Sequence, residues 1–215
     1  MSEQSLSSLS LKRIIISVLL MFMIPVSSHF LNIYLRQEYL SLACAMNIFC
    51  GILIIYDWNL FGIHYNRSKD NLFSTLIYTF IGAIGIYFWI WFCSEYMDVR
   101  LLIADETVFS SIPYAKPALL IAFSFMQSAL FNIEFKCITD HIHLENHDLL
   151  MILLSGIITG IVFTAAFTSF DLMIWIPAFT YYAVLACIIA LLYNMSHSFI
   201  PGILAMGIVY LIIML

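Results

Sequence analysis

The chain of 215 residues is 63% hydrophobic and 16% aromatic but only 10% charged, with a mean hydropathy of +1.02. Soluble domains carry roughly a quarter charged residues, so this composition excludes a soluble enzyme, a nucleic-acid binder and a disordered regulator, and makes lipid the main solvent of an integral membrane protein. The net charge of -5, from 8 Lys+Arg and 13 Asp+Glu, is spread too thinly to draw in a partner, and no block of five like charges exists.

Crossing about 30 Å of hydrocarbon takes roughly 20 apolar residues in a helix, the backbone being otherwise unsatisfied there. Seven continuous apolar runs meet this demand, at 14–35, 39–63, 72–93, 117–138, 149–170, 172–193 and 198–215. They predict an all-α polytopic transmembrane bundle of about seven spans, a single membrane domain over 1–215. The first run follows Lys12 and Arg13 as a signal peptide would, but it continues past Pro25 to Leu35 without a small-residue cleavage motif and reads as an uncleaved anchor. Arg36-Gln37-Glu38 separates it from the second run, where Asp57, Trp58 and Asn59 stand near the end, as in an aromatic interfacial belt. Asn66-Arg67-Ser68-Lys69-Asp70 precedes the third run, and a polar stretch from Ser94 to Lys116 follows it. Within that stretch, 99–112 is too short and too acidic to cross; it fits either an interfacial turn or helix or a plain external loop. Asp140 to Asp148, Asp171 and Asn194 to His197 mark the remaining breaks.

Alternating sides place Lys12, Arg13, Arg67, Lys69 and Lys136 on one face and Arg36, Arg100 and Lys116 on the other. The positive-inside rule then predicts a cytoplasmic N-terminus and, after seven spans, an external C-terminus. Cys44, Cys50, Cys93, Cys137 and Cys187 lie in or beside apolar runs without metal-ligand spacing and read as small core residues.

Ionisable groups within spans are costly and tend to face a bundle interior or a cavity. The fourth run is richest, with Gln127, Asn132, Glu134 and Lys136 in its second half. Glu134 and Lys136 are two apart, about 200° around a helix, and do not pair; Asp140, four beyond Lys136, shares its face and predicts an ion pair at the interface. Glu134 has no local partner, which points to a functional or interhelical role. The loop 140–148 holds His141, His143 and His147, half of the six histidines. Imidazoles and carboxylates are zinc ligands, yet no His-Glu-x-x-His is present, so these are weak metal candidates and a solvated loop is the expectation. Neither metal nor cofactor is predicted.

From about residue 120 onward the pattern rests on order and spacing. Phe131-Asn132-Ile133-Glu134-Phe135-Lys136 is followed by a helix opening at Ser155-Gly156, by Ile176-Pro177-Ala178-Phe179, and by a polar turn and proline entry from Leu192 to Leu204. This resembles the core of the bacterial CAAX-protease and bacteriocin-processing family of intramembrane proteases. There, Glu-Glu-x-x-x-Arg is followed by Phe-x-x-x-His and finally by His-x-x-x-Asn. Here Phe131 and Asn132 occupy the two glutamate positions, Lys136 replaces the arginine, Thr159 and Phe163 supply no histidine, and Met206 and Tyr210 stand for histidine and asparagine. Peptide hydrolysis needs a base for water and donors for the oxyanion. The resemblance therefore implies a degenerate, non-catalytic member in a bacterial cytoplasmic membrane, with a CPBP-like core at about 117–215 behind N-terminal spans 14–93.

The expected function is binding, as an accessory, immunity or regulatory subunit whose partners are membrane lipids and a membrane protein or peptide, with no nucleic acid. A small transporter or integral transport-complex subunit is the alternative, and an active protease using Glu134 the third. The expected pocket lies between the fourth, fifth and last spans near Asn132, Glu134, Thr159 and Tyr210, and Lys136 is a further binding candidate. Gly156 and Gly160 are expected to serve helix packing within the chain.

Overall fold

The computed structural model describes residues 9–36, 38–97, 116–141, 148–166 and 172–214. The segment 99–112, His143 and His147 lie outside the described residues, as does the side chain of His141. Eight helices make up the regular structure of the described residues: α1 (Leu11–Leu35), α2 (Glu38–Tyr56), α3 (Trp58–Asp70), α4 (Leu72–Tyr96), α5 (Lys116–His141), α6 (Asp148–Thr164), α7 (Leu172–Ser196) and α8 (Ile200–Met214). Each apolar run is therefore helical, and the second is split in two.

Helix α5 is the axis of the bundle. Residues 127–138 are buried without interruption, because α1, α2, α6, α7 and α8 all pack on it. A helix covered on every side has no lipid-facing stripe, so it tolerates polar residues on any face provided they find partners. The outer helices do the reverse. In α1 the buried positions Ile14, Ser17, Met21, Ile24 and Ser28 follow a helical stripe, while Phe22, Phe30 and Ile33 are exposed. In α4, Thr75, Thr79, Gly82, Ile86 and Ile90 face inward and Phe73 and Phe80 outward. Large apolar side chains left outside mean a surface solvated by lipid. Exposed Tyr34 and Tyr96 near the ends of α1 and α4 suit the boundary between hydrocarbon and water.

Three helices, α1, α4 and α7, are long and apolar enough to cross a membrane, and a fourth crossing results if the bent pair α2–α3 is one span. These fit an integral membrane protein. The expected count of about seven is higher than length and composition support among the described residues. The reasons are local: α6 has 17 residues and α8 has 15, short of the roughly 20 a span needs, and α5 carries Lys116, Glu134, Lys136 and Asp140 besides several uncharged polar residues.

The second run departs most from expectation. Residues 40–56 and 58–70 meet at an angle of 80°. The Asp57 carbonyl accepts from the N–H groups of Leu60 (2.9 Å) and Phe61 (3.3 Å), so a new helix starts at the break. Helix α3 buries Leu60, His64 and Ser68, one every four residues, and lies against the start of α8. There Ser68 Oγ and Ser198 Oγ are 2.7 Å apart, Ser198 Oγ donates to the His64 carbonyl (2.9 Å), and Arg67 Nη1 donates to the His197 carbonyl (2.8 Å).

Candidate functional site

On a helix with 3.6 residues per turn, the polar residues of α5 divide between faces. Asn132 turns toward α8, while Gln127 stands two turns before Glu134 on the same stripe. Asn132 Nδ2 donates to the Ser128 carbonyl (2.8 Å) within its own helix and stands close to Gly202 of α8. The Tyr210 hydroxyl donates to Gln127 Oε1 at 3.3 Å. Glu134, about 200° from Asn132, faces α6, where the Thr159 hydroxyl donates to Glu134 Oε2. The other carboxylate oxygen, Oε1, is buried without a partner. Thus Glu134 and Thr159 come together, while Asn132 points to the opposite side of the axis and Tyr210 bonds Gln127, two turns from Glu134.

The cleft beside Glu134 does not reach the last span, which the resemblance places at the pocket. This cleft of about 340 Å³ lies between α1, α5 and α6, with α8 taking no part in its lining. Its walls are apolar, among them Val18 and Phe22 of α1, Leu130 of α5, and Ile158 and Val162 of α6, and among the described residues Glu134 is the only Asp, Glu, Lys or Arg lining it. Val18 is 37% and Phe22 56% exposed, so the cleft opens sideways on the lipid-facing surface. The expected pocket was polar and bounded by the last span. The observed one is apolar and lies away from α8, which packs directly on α5.

Lys136 leaves the cleft to Glu134. Its Nζ bonds Asp140 Oδ1 at 2.9 Å, one turn on, as expected. Asp140 Oδ2 accepts from the Leu9 backbone N–H at 2.8 Å, tying the end of α5 to the start of α1.

Asp57 was expected at the interface and is instead fully buried, whereas its neighbour Trp58 is 68% exposed. The 80° bend carries the carboxylate inward, where Ser17 Oγ donates to Oδ2 (3.4 Å) and Arg13 Nε stands 3.8 Å from Oδ1. His64, which the sequence did not single out, is also fully buried, stacked on Phe199 with ring centroids 3.8 Å apart. The available signal was an ionisable residue inside an apolar run; its partners, 40 or more positions away, had none. Among the described residues no three His, Cys, Asp or Glu side chains gather as metal ligands.

Comparison with known proteins returns no match: no protein-family model, curated protein or solved structure is significantly similar to the chain.

Proposed function

We propose that the protein is a non-catalytic integral membrane protein that acts by binding, as an accessory, immunity or regulatory subunit of a membrane complex, and that it is a degenerate relative of the CAAX-protease and bacteriocin-processing family. The observation that carries the reading is the surroundings of Glu134. Its hydrogen-bond partner is a threonine hydroxyl, which holds a carboxylate in place, and not an imidazole, which would exchange a proton with it during hydrolysis. The remaining walls of its cleft are apolar and suited to contact with a lipid or a partner's side chain.

The same reading places seven passes in a bacterial cytoplasmic membrane with the N-terminus inside. It draws support from contacts that gather alternate helix ends at one end of the bundle: Leu9 with Asp140, Arg13 with Asp57, Arg67 with His197, and Asn194 with Asp148. At the other end His29 Nε2 is 2.9 Å from the Ala165 carbonyl. A transporter is favoured by one observation, the unpartnered buried atoms Gln127 Nε2 and Asn132 Oδ1 beside α8.

Affinity purification of the tagged protein in mild detergent tests the proposal. The expected result is a stoichiometric membrane-protein or peptide partner. A free-standing protein whose peptide cleavage is abolished by Glu134→Gln overturns it in favour of a protease, and solute flux in partner-free proteoliposomes overturns it in favour of a carrier.

A further inference from the structure

The cleft between α1, α5 and α6 combines two features that seldom meet: an apolar volume open to lipid, and a carboxylate with a free oxygen. Glu134 is 5% exposed and Oε1 has no hydrogen-bond partner. Among the described residues Lys136 is paired with Asp140, and Arg13 Nε stands 3.8 Å from Asp57 Oδ1. A carboxylate without a counter-ion in an apolar environment is costly, a cost that a proton or a bound cation relieves. From the geometry we infer that the cleft binds a single-chain cationic amphiphile, a long-chain primary amine, with its ammonium on Glu134 and its hydrocarbon between Val18, Ile158 and Val162. The inference rests on the binding reading of this site and adds the chemical class of its ligand.

Three observations select this occupant. The volume of about 340 Å³ lies at the small end of the roughly 300–1,000 Å³ of small-molecule sites, which suits one chain rather than a protein segment. Complementarity to a lone carboxylate calls for a cation with hydrogen-bond donors; Thr159 engages Oε2 and leaves Oε1 to receive an N–H. Depth excludes a phospholipid head. Glu134 is seven residues, about 10 Å, short of the end of α5, and a phosphate carried to that depth would enter walls that offer it no donor. A bare ammonium reaches it at the end of its own chain.

The test uses the purified full chain in phosphatidylcholine nanodiscs and measures equilibrium binding of dodecylamine and dodecanol. Saturable binding of the amine at one per chain, roughly ten-fold or more tighter than the alcohol, is expected. Glu134→Gln keeps shape and should reduce the amine to the alcohol's level; Val18→Trp, at an exposed position of the mouth, should weaken both, with an unchanged gel-filtration profile. Equal affinity for the two probes overturns the inference, as does amine binding indifferent to either substitution. Displacement of the amine by phosphatidylethanolamine at equal concentration also overturns it, assigning the site to an aminophospholipid. The purification experiment above is separate: capture of a partner with equal probe affinities sinks the ligand class alone, while tight amine binding to a protein that captures no partner sinks the subunit reading alone.

Discussion

Asp140 holds two elements at once, and its removal should cost more than its surface position implies. Asp140→Ala takes away the acceptor of Lys136 Nζ and of the Leu9 N–H. The Lys136 side chain is 6% exposed and that of Asp140 15%, so the stranded ammonium lies inside the bundle while some water reaches the carboxylate. Removing one partner of a fully buried pair costs about 3–5 kcal/mol; with that partial access and the lost backbone bond, about 3 kcal/mol is expected here. Lys136→Met is milder, about 1–2 kcal/mol, because Asp140 keeps the Leu9 N–H and its contact with water. The double variant removes the stranded charge and should recover about 2 kcal/mol relative to Asp140→Ala. Unfolding by dodecyl sulfate in maltoside micelles, followed by far-UV ellipticity, gives the three values. Should Lys136→Met prove as harmful as Asp140→Ala, or the double variant no better than the worse single one, the buried-ammonium argument fails.

Two further outcomes follow from packing and charge. Alanine at Gly156 would bring its Cβ to 2.8 Å from the Ala183 carbonyl and into the Cys187 sulfur, forcing α6 and α7 apart at about 1–3 kcal/mol; alanine at Gly51, which meets nothing within 4 Å, should stabilise by up to about 1 kcal/mol, and thermal inactivation in detergent should rank them so. In intact cells a cysteine replacing exposed Lys69 and a tag inserted between residues 142 and 147 should be reached only from the cytoplasm and a reporter after Leu215 only from outside; finding tag and reporter on one side refutes the seven-pass arrangement.

What could be read in advance was whatever has a local cause. Hydrocarbon imposes helices on long apolar runs, and every predicted run is helical. The Lys136–Asp140 pair was legible because residues four apart share a face. The burial of Asp57 was not: its partners Arg13 and Ser17 come from another helix, 40 positions away for Ser17, and the same carboxylate at an unbent helix end would have reached water. The cleft was equally hidden. A void depends on how closely helices approach, and nothing in the spacing of Val18, Leu130 or Val162 tells that α1 and α6 stand apart over α5 while α8 closes on it.

The two polar systems of α5 bear directly on the choice between binder and conduit. A path for solute or ions requires polar groups in succession along one face. Around Glu134 the positions one turn away in either direction are Leu130 and Ile138, both buried apolar residues, and the next polar group along its stripe toward the start of α5 is Gln127, seven residues and about 10 Å away. Tyr210 holds Gln127 and Ser128 holds Asn132, which lies about 200° from Glu134, and α8 packs on α5. Bringing Asn132 onto the Glu134 stripe would require α5 to rotate by about half a turn, breaking the Lys136–Asp140–Leu9 tether at its end. Binding at a lipid-facing cleft needs no such movement, since the carboxylate, its threonine support and the opening beside Val18 already stand in place.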